Sequence, residues 1–137
     1  MYIISKFESF SNQPDIEDIK DIFQELVEKW DMVKDSKESR DIRYKFLVER
    51  KILKILFPLL WRGLGSEDKD DIYFIIAIDL SGPNDFYRTL YEFNKDCQDL
   101  LKRFQSEFKC ELLTGYANQY LQSKGISTSR FVFIFRN

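Results

Sequence analysis

Apolar residues recur along this chain with two periods, and each period predicts an element. Ile16, Ile19, Phe23, Leu26, Trp30 and Val33 are spaced 3, 4, 3, 4 and 3, which puts all six on one side of an α-helix. Asp15, Glu17 and Asp18 crowd its first turn and Lys34 lies near its end, both favourable against the helix dipole. Pro14 suits the entry. Phe86, Leu90, Phe93, Cys97, Leu100 and Phe104 repeat the pattern at 4, 3, 4, 3 and 4, so a second long amphipathic helix is predicted there. A short helix over 116–123, closed by Gly125, completes the helical reading of the second half.

The other period is that of strands. Residues 2–9 alternate loosely and are rich in β-formers. Residues 72–80, IYFIIAIDL, form a continuous apolar run of β-branched and aromatic residues, as in a central strand covered on both faces. A short strand is predicted at 109–113 and another at 130–136, where FVFIF again reads as buried on both sides.

Residues 40–57 carry both patterns. Ile42, Tyr44, Phe46 and Val48 alternate like a strand, whereas Ile42, Phe46, Leu53, Leu56 and Leu60 share a helical face. The helical reading is preferred, because it gathers Arg43, Arg50, Lys51 and Lys54 on the opposite side. Pro58 disrupts its end, and Gly63 and Gly65 stop it. The resulting order is β-α-α-β-α-β-α-β. It predicts an α/β (or α+β) fold, a single layered domain over 1–137 with a mixed or mainly parallel sheet of about four strands, two long helices and one or two further helices.

Composition narrows the chemistry. At 137 residues and 44% apolar, the chain can bury a core without help from metal or disulfides. Cys97 and Cys110 lack C-x-x-C spacing, and Cys97 falls on the apolar seam of the second long helix. No histidine is present, which removes Ser-His-Asp and Cys-His mechanisms and histidine-ligated metals. No phosphate-cradling glycine motif and no G-x-S-x-G elbow occurs. The longest strongly apolar run, ILFPLLW, is too short to span a bilayer. Lys6 and Glu8 break the opening MYIISKFESF before it reaches signal-peptide length. A cytoplasmic protein is therefore expected.

Four constellations remain. In IDLSGPND, Asp79 is expected at a strand end, with Ser81, Gly82 and Asn84 forming a turn into the next helix. In α/β sheets ligands bind beyond carboxyl strand ends, so these four residues are the candidate ligand site, for a phosphate compound or a Mg²⁺ ion; no other cofactor is implied. Asparagine at 79 is then expected to abolish binding and leave the fold standing. Second, residues 40–62 hold seven basic and two acidic residues, against nine acidic and four basic over 15–38. The bland expectation is two neighbouring helices with complementary faces. The sharper one is a phosphate-rich or acidic partner docking on Arg43, Tyr44, Arg50, Lys51 and Lys54, with Tyr44 and Trp61 available to stack. Third, Asp79, Glu107 and Glu111 invite a nuclease comparison, but Leu113 stands where Glu-x-Lys requires lysine. Fourth, Tyr87 and Tyr91 lie off the main helical stripe, as in a second core layer or a partner-binding strip.

Taken together, these features predict a non-catalytic regulatory module that binds another macromolecule, most simply a protein. The alternatives are a Mg²⁺- or phosphate-dependent domain or enzyme centred on Asp79 and Ser81, and a nucleic-acid binder using the basic segment. A net charge of −2 argues against the last.

Overall fold

The computed structural model describes residues 16–34, 42–48, 51–58, 62, 71–83, 87–116 and 126–137. The strand expected at 2–9, Asn84, Arg50 and most of the helix expected at 116–123 lie outside these residues. Along the described chain run helix α1 (Ile16–Trp30), strands β1 (Val33–Lys34) and β2 (Arg43–Leu47), a short helix α2 (Lys51–Leu56), strand β3 (Ile72–Pro83), helix α3 (Tyr87–Gln105), and strands β4 (Lys109–Tyr116) and β5 (Ile126–Arg136).

The strands form one five-stranded mixed sheet in the order β1-β2-β3-β5-β4. Only the β1–β2 pair is parallel; β2–β3, β3–β5 and β4–β5 are antiparallel. The class is mixed α and β, as the alternating periods imply, and the sheet is mixed as expected, but its pairs are mainly antiparallel and among the described residues it has five strands rather than about four.

Helix α1 stops earlier than its stripe implies. Asp31 adopts a left-handed conformation, φ 51°, and the Met32 amide donates to the Val27 carbonyl at 3.0 Å. This six-to-one bond is the Schellman ending, and its usual apolar contact is supplied by Val27 and Met32, both buried. Val33 is thereby released from the helix into β1, where it is exposed.

The helix expected over 40–57 is a correction. Residues 43–47 are a strand, and among the described residues of this stretch the helical ones are 51–56. Tyr44 and Phe46 point to the helix-bearing face, where both rings meet Phe23 edge-on at 5.3 and 5.8 Å. Arg43, Lys45 and Leu47 alternate to the other face. Pairing along β3, with Tyr44 opposite Ile78 and Phe46 opposite Ile76, satisfies the backbone, buries Tyr44 and packs the half-buried Phe46 against the core.

Helices α1 and α3 lie side by side on one face of the sheet. They run antiparallel, since Glu25 meets Arg103 at 2.7 Å while Trp30 and Lys29 meet Asp96, each at 2.8 Å. Two ion pairs of opposite sense, Glu25 to Arg103 and Lys29 to Asp96, thus join the helices. Beneath the helices is an aromatic layer in which Phe93 packs on Phe131 at 5.1 Å and Phe104 on Phe135 at 4.9 Å, in the edge-to-face geometry that aromatic pairs prefer. Cys97 is fully buried there. On the opposite face a smaller cluster of Ile72, Ile75, Val132 and Ile134 packs with Leu47, Phe57 and Leu113. Strands β3 and β5 are therefore covered on both sides, which explains their unbroken apolar runs.

Two further boundaries differ from expectation. Strand β3 does not end at Asp79 but continues through Ser81, Gly82 and Pro83, paired with Thr128, Ser127 and Ile126 of β5. Strand β4 extends to Tyr116, so the short helix expected from 116 does not begin there.

Candidate functional site

On the sheet face away from α1 and α3, three charged residues stand in one cross-strand row. Arg43 of β2 pairs in register with Asp79 of β3, and Asp79 with Arg130 of β5. Arg130 grips the carboxylate with both arms of its fork, Nε to Oδ1 at 2.7 Å and Nη2 to Oδ2 at 3.3 Å. Arg43 Nη2 lies 3.9 Å from Oδ2, too far for a hydrogen bond, and instead donates to Ser81 Oγ at 3.1 Å. Ser81 Oγ in turn shares a proton with Thr128 Oγ1 at 2.9 Å, one row further along the same face. Gly115 ends the charged row on β4, and a Cβ there would touch the Phe57 ring at 3.4 Å. Phe57, just past α2, therefore covers part of this face.

Two separately expected sites meet here: Asp79 and Ser81 from the strand-end reading, and Arg43 from the basic-segment reading. Asp79, Ser81 and Gly82 lie within a strand rather than in a turn, and the strand's neighbours run antiparallel to it. The carboxyl-end crevice that motivated them is absent at this point. Arg130 was not anticipated. Its only local signal is that it shares a side of its strand with Thr128, Val132 and Ile134, opposite Phe131, Phe133 and Phe135.

As chemistry, the row is a charge cluster with two cations and one anion. Both carboxylate oxygens of Asp79 are engaged by Arg130. Among the described residues no group of three potential metal ligands converges. The buried thiols are chemically quiet: burial pushes Cys97 and Cys110 far above the ordinary range, with the nearby Asp96 and Glu111 charges adding to it. Burial likewise raises the Tyr73 phenol, whose hydroxyl is buried without a hydrogen-bond partner among the described residues.

Of the basic segment, Arg43 and Lys45 share the outer face of β2. Arg43 belongs to the sheet row, Lys51 and Lys54 are exposed on α2, and Tyr44 is buried against Phe23. Tyr44 is therefore withdrawn from any stacking surface. Tyr87 opens α3 and Tyr91 follows one turn later. The Tyr91 side chain is exposed, at 70% of its full area. It borders a groove of about 330 Å³ lined also by Leu90, Asn94, Thr114, Ser129 and Phe131. This groove runs between the first turns of α3 and the end of β4. Among the described residues, no strand pairs with the outer edge of β4. Val48 and Ile55 are the other strongly exposed large apolar side chains among the described residues.

Between α1 and α3, Asp96 accepts hydrogen bonds from Lys29 and from the Trp30 indole. Burial pushes its carboxyl up, but those bonds and the Lys29 charge outweigh burial and hold it below the usual range. No described helix is long and apolar enough to cross a membrane. No protein family, curated protein or solved structure matches this chain.

Proposed function

We propose that this protein is a non-catalytic interaction module that receives an extended segment of another protein along the edge of β4, anchored at the Tyr91 groove. The observation that carries the reading is Tyr91 itself, an aromatic side chain held out on a rigid helix beside an open, largely apolar groove. Tyrosine presents a broad apolar ring and a polar tip at small entropic cost, which is why it is enriched at interfaces. The eight residues of β4 add a row of backbone donors and acceptors facing outward, and such an edge accepts a further strand from a partner. Main-chain hydrogen bonds would supply affinity, and the groove would select the side chain seated in it.

The test begins with a photo-crosslinking residue at position 94, in the groove, and a control at Gln24 on the exposed side of α1. A protein captured from 94 and not from 24 is then purified and titrated. Tyr91→Ala is expected to weaken its binding at least tenfold while far-UV circular dichroism and the melting temperature hold. Equal binding by Tyr91→Ala, or capture from both positions alike, would overturn the reading.

A further inference from the structure

We propose that Arg43, together with the Ser81–Thr128 hydroxyl pair, forms a receptor for one small tetrahedral oxyanion, a phosphate group, on the sheet face opposite α1 and α3. The site is independent of the β4 groove and lies on the other side of the sheet.

Charge is the first reason. The row holds two guanidinium groups and one carboxylate, and Arg130 already takes both oxygens of that carboxylate. Arg43 is left with a carboxylate oxygen at 3.9 Å and a hydrogen bond to a neutral hydroxyl, yet its side chain is only 16% exposed. A cation removed from water to that degree is poorly compensated by a hydroxyl dipole. Its Nε is also buried with no hydrogen-bond partner among the described residues, and within that set one of the five guanidinium donors, on Nη2, is committed, to Ser81.

Proton counting is the second reason. Ser81 Oγ accepts from Arg43 and pairs with Thr128 Oγ1. Each hydroxyl has one proton. If Ser81 donates to Thr128, the Thr128 proton is uncommitted; if Thr128 donates, the Ser81 proton is. Either way one hydroxyl donor remains unspent beside the under-compensated guanidinium. The donors come from two successive rows of the sheet, not from one plane. That arrangement suits oxygens disposed around a tetrahedral centre better than a flat carboxylate, while the arginine fork suits either. Asp79 acts as a positioning residue that fixes Arg130 and so leaves the surplus charge on Arg43.

The experiment titrates sodium phosphate at constant ionic strength, following the melting temperature and the ³¹P line width. Saturable broadening and a rise of about 4 °C at ten times the dissociation constant are expected. Arg43→Gln is expected to remove both, Arg43→Lys to weaken binding at least fivefold, and Thr128→Val to weaken it by a smaller factor. Phosphate also stabilises proteins by exclusion from their surface, but that effect does not saturate. A linear rise shared by Arg43→Gln overturns the proposal, as does tighter binding of acetate than of phosphate. Should Arg43→Gln fail to fold, the wild-type ³¹P titration decides alone: absence of saturable broadening refutes the site.

Discussion

Asparagine at position 79 puts the charged row to its most direct test. The substitution keeps the shape of the side chain, so it opens no cavity; what it removes is the one negative charge between two arginines. Breaking a buried ion pair by deleting one partner costs about 3–5 kcal/mol, most of it from the charge left stranded. Here the side chains of Arg43, Asp79 and Arg130 are 16%, 24% and 22% exposed, so water relieves part of that penalty. The amide oxygen can still accept one bond from Arg130. A loss of about 2–3 kcal/mol is therefore expected. With a urea dependence of about 1.5 kcal/mol per molar, the unfolding midpoint falls by roughly 1.3–2 M. Tryptophan fluorescence and far-UV circular dichroism at 25 °C report it. Adding Arg130→Gln to Asp79→Asn removes one stranded charge and is expected to recover about 1 kcal/mol relative to the sum of the single variants. A midpoint within about 0.3 M of the parent, or strict additivity, would refute the reasoning. The expectation drawn from sequence alone was the reverse, a variant that loses a ligand and keeps its stability.

The remaining predictions concern the helix-bearing face. Phe104 is fully buried among Phe108, Phe133 and Phe135, so Phe104→Ala is expected to cost about 3–5 kcal/mol; a loss below about 1 kcal/mol in the same urea assay would show that this stack is not the core. Asp96 is held below its usual 3.8, so its contribution is present above that value and is lost as pH falls through the lower folded-state value. Asp96→Asn should accordingly flatten the acid limb of stability below about pH 4, and limbs that stay parallel between pH 2 and 6 would count against the Lys29 and Trp30 bonds. Asp31 holds a left-handed conformation at the end of α1, and Asp31→Gly is expected to add roughly 0.5–1 kcal/mol by relieving it. A lower melting temperature for that variant would mean the aspartate side chain does more at the helix end than tolerate the turn.

What was legible in the sequence was what local periodicity decides. Stripes of six residues at 3/4 spacing can hardly serve as anything but one helix face, and Phe23, Phe93, Cys97 and Phe104 are buried where those stripes put them. The unbroken runs at 72–80 and 131–135 likewise had to be strands covered on both sides. Misreadings arose where two local patterns fit equally and a distant partner chose between them. Residues 42–48 satisfy both periods, and the choice falls to β3, with Arg43 opposite Asp79 and Tyr44 opposite Ile78. Ser81-Gly82-Pro83 carries strong turn chemistry, yet it continues a strand because β5 lies alongside as far as Ile126; pairing outweighs a weak intrinsic preference.

The candidate site has the same logic at finer scale. Asp79, Ser81 and Arg43 were each conspicuous as residue types, but under unrelated hypotheses, and Arg130 was not conspicuous at all. Their meaning lies in register: one residue of slip in any strand would send that side chain through the sheet to the aromatic layer. Alternation on β5 is what prevents the slip. Phe131, Phe133 and Phe135 are all buried under the helices, and together they commit Thr128 and Arg130 to the opposite face. The aromatic core therefore does more than stabilise the sheet. By locking the register of β3 against β5, it sets Asp79 beside Arg130, and so it determines that Arg43 is the cation left with charge to spare.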